Sequence, residues 1–224
     1  MQRAILQQLV ADRAAGRPVV LATALDNGEQ HLLYPGDGGD MDSACRAALR
    51  FDRADTHEID GRRWLFNPWN PPLRMLLVGA VHIAQALVPL AVQTGFAVTV
   101  IDPRRAFATA ERFPDVRLDT AWPDEALTSY EPDGRTAVVT LTHDPKLDDP
   151  ALAAALRSEA FYIGSLGSRR THAARCERLT DMGFAEGDLA RIHAPVGLSI
   201  GARAPAEIAV SIVAEVISVL RQGE

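Results

Sequence analysis

Three short stretches of this 224-residue chain gather side chains able to do chemistry, each where an apolar run gives way to a helix-forming one. In "YIGSLGSRRTHA", Gly164 and Gly167 can turn the chain tightly, and Ser168 suits the cap of the helix that follows. Ser165, Ser168, Arg169 and Arg170 can then face an anion held on the helix's free N–H groups. The plainer reading is a shaped loop with solvated arginines. The anion site is the reading favoured here.

"VGAVHIAQAL" begins like a dinucleotide-binding turn. In such a turn the first glycine permits the bend, the second admits a pyrophosphate and the third lets the helix pack on the strand. Gly79 fills the first role and Ala84 is small enough for the third, but Val81 puts a branched side chain in the second. An ordinary nicotinamide dinucleotide pose is therefore disfavoured, although the helix N-terminus, with His82 in its first turn, still suits an anion. Asp102 follows about 20 residues later, where an acid can take a ribose hydroxyl. Arg104 and Arg105, in "DPRR", can meet a phosphate instead, or the segment is a solvated strand-end loop.

In "TAVVTLTHDPKLDD", His143 and Asp144 directly follow an apolar strand, at the end where open α/β sheets bind ligands, and Asp148 can turn back toward the same crevice. Spacing fixes no third ligand, so a metal site is not expected. Asp144 before Pro145 is equally an ordinary turn former. "RIHAPVGLSIGARAP" adds His193 with Gly197 and Gly201, either backbone near a ligand or a tight core loop. His57 and His172 have no such context. No nucleophile beside a base and no paired carboxylates emerge, which favours binding over catalysis.

Two kinds of element must position these residues. From Leu73 onward, apolar strands alternate with helices ("RMLLVGA", "HIAQALVPLAVQTG", "FAVTVID", "TAVVTLTHD", "PALAAALRS", "AFYIGSLG", "SRRTHAARCERLTDMG"), the rhythm of a doubly wound parallel sheet. Before it, a helix over Gln2–Ala15, the strand "PVVLATAL", an Asn-Gly turn, the helix "MDSACRAALRFDRA" and the hairpin "THEIDGRRWLFNPW" make a small α+β domain. "NPWNPP" breaks regular structure and marks the boundary, giving domains 1–71 and 72–224. The fold class is thus α/β, a Rossmann-like sheet behind a small N-terminal α+β domain. In the last helix, Ile208, Val210, Ile212, Val213, Val216, Ile217, Val219 and Leu220 spread round much of the circumference. A second copy of the chain is one way to cover them, the sheet another.

A net charge of -6 argues against nucleic acid and anionic membranes as partners. The apolar segment "LLVGAVHIAQALVPLAVQTGFAVTVI" is interrupted by His82, Gln85, Pro89, Gln93 and Gly95, so no spanning helix of roughly 20 residues is expected. Cys45 and Cys176 form no C-x-x-C pair, which argues against a zinc or disulfide framework and fits a reducing cytoplasm. No signal peptide is read at the start.

The pieces "VGAVHIAQAL", "VIDPRRAFATAERFPDVRL", "WPDEAL", "TAVVTLTHDPKLDDPALAAAL", "FYIGSLGSRRTHAARCERL" and "ARIHAPVGLSIGARAPAEIAVSIVAEV" together resemble the XdhC/CoxI family of molybdenum-hydroxylase maturation factors. The resemblance covers most of Leu73–Glu224. It implies a Rossmann-like domain and a cytoplasmic accessory role. It also implies transient binding of molybdenum cofactor, as molybdopterin or its dinucleotide, on its way to a xanthine or carbon monoxide dehydrogenase-like enzyme. Sulfuration with a cysteine desulfurase, insertion into the target hydroxylase and a homodimer belong to the same expectation. Longer family members carry "GGC" before a helix; here "GDGGDMDSAC" has Asp40 in that place and Cys45 further on. A cofactor chaperone without turnover is therefore the leading reading. The residues assigned to it are Gly164, Gly167, Ser168, Arg169 and Arg170 for phosphate, with Gly79, His82, Asp102, Arg104, His143, Asp144 and His193 lining the crevice. An NAD(P)-dependent oxidoreductase with His82 or His143 as proton donor, and an interaction scaffold without a small-molecule ligand, are the alternatives.

Overall fold

In a computed structural model, which describes residues 2–37 and 39–222, the chain forms two compact units, Met1–Pro71 and Pro72–Glu224. The first comprises α1 (Arg3–Ala14), β1 (Val19–Ala24), β2 (Gln30–Leu33), α2 (Asp42–Phe51), β3 (Asp55–Ile59) and β4 (Arg62–Trp69). Its strands form an antiparallel sheet in the order β2-β1-β4-β3. Alternation along β1 decides which helix lies on which face. Val20, Ala22 and Ala24 pack with Trp64, Phe66 and the Ala44, Cys45, Ala48 stripe of α2, while Val19 and Leu21 pack with Leu9 of α1. Asp60 and Gly61 both take positive φ (53° and 73°), the backbone a tight hairpin turn demands. β4 runs on through Pro68, although the prolines of "NPWNPP" point to a break in regular structure there. Pro68 faces Val20 of β1, and the β3 pairing stops at Phe66, so one edge of β4 there has no ladder for the missing N–H to break.

The second unit comprises β5 (Leu73–Val78), α3 (His82–Gln93), β6 (Phe96–Ile101), β7 (Arg117–Asp119), α4 (Pro123–Tyr130), β8 (Thr136–Thr140), α5 (Pro145–Leu156), β9 (Tyr162–Ser165), α6 (Arg169–Asp181), α7 (Glu186–Leu189), β10 (Ile192–His193) and α8 (Pro205–Gln222). The sheet is parallel throughout, in the order β10-β9-β8-β5-β6-β7. Strand order reverses between β5 and β8, the switch point at which such sheets open a crevice. Both faces are covered, so the strands are apolar on both sides: Ala137 and Val139 of β8 face α3 and α8, and Val138 faces α5 and α6.

α5 starts earlier than "PALAAALRS" suggests. Asp144 caps it through the Lys146 amide and Pro145 occupies its first position, an arrangement that starts a helix despite Pro150 further in. α7 and β10 are too short to leave a periodic signature. α8 buries Ala209, Ser211, Ile212, Val213 and Val216, with Ile208, Ile217, Val219 and Leu220 packed on the same core as α3 and the sheet. Val210 stays 49% exposed. The apolar circumference that pointed to a second copy is thus mostly covered within the chain. No described helix is long and apolar enough to cross a membrane.

Candidate functional site

At the switch point β5 and β8 end side by side. Gly79 follows β5 with φ 114°, and a β-carbon there would lie 2.6 Å from Cγ2 of Thr142, so only glycine lets the two loops touch. The next amide, Ala80, donates to Oδ2 of Asp102 at 2.8 Å. Asp102 is fully buried. Its Oδ1 accepts the Arg104 amide at 3.0 Å and Nε at 2.9 Å, and Oδ2 accepts Nη2 at 2.8 Å. Four donors fill the four acceptor positions of the carboxylate. Burial pushes this carboxyl up, but the bonds from Arg104 and Ala80 outweigh it and hold it below the ordinary carboxylate value. Asp102 therefore braces the glycine turn from beneath. It has no acceptor left for a ribose hydroxyl. Arg104, committed to Asp102, stacks over Phe107 at 4.7 Å and feels the charges of Asp144 and Asp148.

His82 is exposed at the first position of α3, whose cap residue Val81 supplies no side-chain bond. His143 is exposed beside the Gly79–Thr142 contact and holds φ 61°. Left-handed backbone at a non-glycine residue is uncommon, and such residues gather at ligand sites. Asp144 accepts the Lys146 amide at 3.0 Å, as a helix cap.

Two strands over, the β9–α6 turn departs in part from the sequence reading. Gly164 lies buried inside β9, where a β-carbon would meet Val196 and Tyr162, so its smallness serves packing. Ser165 is buried and bonded to the Thr140 hydroxyl at 2.6 Å. Neither of these buried residues faces outward. Ser168 caps α6, accepting the Thr171 amide at 3.1 Å. Gly167, at φ 143°, makes the turn itself. Arg169 and Arg170 are both exposed, but they are not equivalent. Arg169 lines a cavity of about 430 Å³ with Leu166 and Gly167 on its own side and Gly197, Ile200 and Ile208 opposite; Arg170 does not. That volume falls in the ~300–1,000 Å³ range of small-molecule sites.

His193 is not in the switch-point crevice. It stacks on Tyr162 at 4.6 Å, and its Nδ1 lies 3.7 Å from Glu215 of α8. The Glu215 carboxylate also accepts the Tyr162 hydroxyl and the Gly197 amide at 2.8 Å. Burial raises this carboxyl, but those bonds prevail and leave it lowered. The network anchors the loop that forms one wall of the cavity. A wider groove, about 870 Å³, lies between α4 and α5 around Leu127, Pro132, Ala154 and Ser158, and none of the residues of these turns lines it. Among the described residues no group of three His, Cys, Asp or Glu could hold a metal ion. Cys45 is buried against the first unit's sheet, and burial pushes its thiol up to about 11.

The structure thus gathers two clusters on the carboxyl rim, one at the ends of β5 and β8 and the other at the end of β9, the strand beside β8. Gly79, His82, His143 and Asp144 stand at the switch point; Gly167, Ser168 and Arg169 flank the cavity. Sequence reasoning missed Thr142, Arg175 and Glu215. Glu215 left a signal, a charged residue amid the apolar "SIVAEVISVL"; Arg175, with Thr171, His172 and Arg178 beside it on a polar helix, left none.

Residues 75–216 match the family model described as the XdhC Rossmann domain. The molybdenum cofactor insertion chaperone PaoD of Escherichia coli is 34% identical over 151 residues, 67% of this chain and 41% of that protein. A Bacillus subtilis protein described as a probable subunit of xanthine dehydrogenase is 38% identical over 148 residues, 66% of this chain and 43% of that protein. Among solved structures, one described as a xanthine dehydrogenase from Bacillus halodurans superposes with a TM-score of 0.71 at 25% identity, covering 99% of this chain and 65% of that one. The matched part spans less than half the length of either curated relative.

Proposed function

The chain belongs to the XdhC family, and from that premise we propose that it carries molybdenum cofactor as cargo and assists its maturation for a molybdenum hydroxylase of the xanthine or carbon monoxide dehydrogenase type. The observation that carries the reading is the 430 Å³ cavity at the amino end of α6, with Arg169 on its wall. The cofactor's pterin bears a phosphate, and a helix amino end with an arginine beside it suits that anion. Ile200 and Ile208 give the flat ring an apolar wall. The exposed His82 and His143, at the β5 and β8 ends of the same rim, are assigned to the cargo's far end. In this role the protein works in the cytoplasm, presents the cofactor to a cysteine desulfurase for sulfuration and hands it to the target. Asp40 stands where longer relatives are expected to have cysteine, and the nearby Cys45 is buried, so neither of these positions offers the cargo a thiol.

A nicotinamide enzyme is the weaker reading, because Asp102 is already saturated by Arg104 and Ala80. Replacing one charge-assisted donor costs about 1.5–3 kcal/mol, so Arg169→Ala is expected to weaken molybdopterin binding about tenfold or more. Arg170→Ala should stay within about twofold of the parent. Ultrafiltration with the bound pterin oxidised and quantified reads both. Equal retention by Arg169→Ala and the parent would remove the proposed phosphate position.

A further inference from the structure

Beneath the rim, between the β8–α5 loop and the β9–α6 turn, lie two charges the site does not use. Arg175 and Asp148 have side chains 2% and 1% exposed, with Nη2 and Oδ2 3.8 Å apart, beyond hydrogen-bond reach. Each makes its firm bonds elsewhere. Asp148 Oδ1 accepts the Thr142 hydroxyl at 2.7 Å and its amide at 3.3 Å. Arg175 Nη2 donates to the Leu166 carbonyl at 3.0 Å. Asp148 Oδ2 and Arg175 Nε and Nη1 find no hydrogen-bond partner among the described residues. Burial pushes Asp148 above the ordinary carboxylate range and Arg175 below its own, as expected of charges that are under-compensated.

Such a pair is a poor source of stability. Apolar residues would fill the same space at lower desolvation cost. What it does provide is connection. Thr142 is the residue against which Gly79 packs, and Leu166 precedes Gly167, whose absent β-carbon leaves room for Thr171 and Arg175. A single path therefore runs from the β5–α3 turn through Thr142, Asp148 and Arg175 to the β9–α6 turn.

We infer that Asp148 and Arg175 form a positioning latch that holds the β8–α5 loop and the β9–α6 turn in register, so that Arg169 and the amino end of α6 are presented at a fixed distance from the switch point. The importance of that distance rests on the proposed cargo site; the latch itself does not. Its test therefore needs no ligand. Hydrogen exchange followed by mass spectrometry on the full chain compares Arg175→Met, Arg175→Lys, Asp148→Asn and the double variant Asp148→Asn/Arg175→Met with the parent.

The latch predicts a reciprocal effect. Arg175→Met speeds exchange at residues 141–148, on the other element, about tenfold or more. Asp148→Asn does the same at residues 165–171. The amides of β5 and β6 keep parental protection, and Arg175→Lys, which keeps a charge and a donor for Leu166, restores most of the loss. Should the single variants not fold, the double variant leaves no lone buried charge and is read in the same way, with both segments loosened together. Faster exchange only around the substituted residue, uniform loosening of the whole sheet, no change, or a lysine variant indistinguishable from methionine would each overturn the latch. Loss of pterin binding by Arg169→Ala bears on the cargo site alone.

Discussion

Asp102 shows how a residue type can be right for one task and spent on another. An acid at the end of the second strand of a wound sheet is where a nucleotide ribose is expected, yet here its carboxylate closes on the protein's own turn. The consequence is a pH dependence. Because its carboxyl is lowered in the folded chain from 3.8, its stabilising contribution is complete above that value and is lost as pH falls through the depressed one. Asp102→Asn should remove about 2 kcal/mol near neutrality, less than a wholly buried pair because Arg104 can turn to water. It should also flatten the fall in urea midpoint between roughly pH 5 and pH 2 that the parent shows. Equal acid limbs in the two proteins would contradict the brace. The thiols divide in the same physical way. Cys45, buried and pushed up to about 11, should resist iodoacetamide at about pH 8 until the chain unfolds, whereas Cys176, also raised by burial but half-exposed, should label in the native protein, more slowly than a free thiol. Mass mapping of the alkylated peptides decides this, and prompt native labelling of Cys45 would refute the packing of α2.

At the scale of elements, the wound sheet was legible because its signals are cooperative. "RMLLV", "FAVTVI" and "TAVVT" are continuous apolar runs bounded by glycine or helix-forming residues, and burial on both faces enforces that pattern. The cap of α6 was legible too, since Ser168 stands directly before a helical run, whereas Asp144 reads as a turn former and the start of α5 it caps was not. The turn residues were harder. Gly164 and Gly167 look alike in sequence, but one packs inside β9 and the other bends the chain, a difference set by Val196 and Tyr162 from elsewhere in the fold. The glycines after His193 point it toward the crevice, and nothing local announces its stack on Tyr162 or the carboxylate of α8. That carboxylate gives the element-scale prediction. Glu215→Leu orphans the Tyr162 hydroxyl and the Gly197 amide and should cost about 2–4 kcal/mol; Glu215→Gln, which can still accept one bond, should cost about half as much. Chemical denaturation of the two variants tests it. Equal losses would mean that shape rather than hydrogen bonding fixes the loop over the cavity.

For the molecule as a whole, each unit has its own apolar core, and the candidate chemistry lies along the carboxyl rim of the second. On that rim Arg104 saturates Asp102, Val81 packs against the core, and the open cavity lies beside the β9–α6 turn. The cargo proposed for this rim is a phosphorylated pterin. The most direct measurement is mass spectrometry of the small molecules released when the protein, purified from a molybdate-replete host, is denatured. The account predicts a pterin phosphate released from the parent and at least about tenfold less from Arg169→Ala. A parent that releases none, or a variant that releases as much, would contradict it.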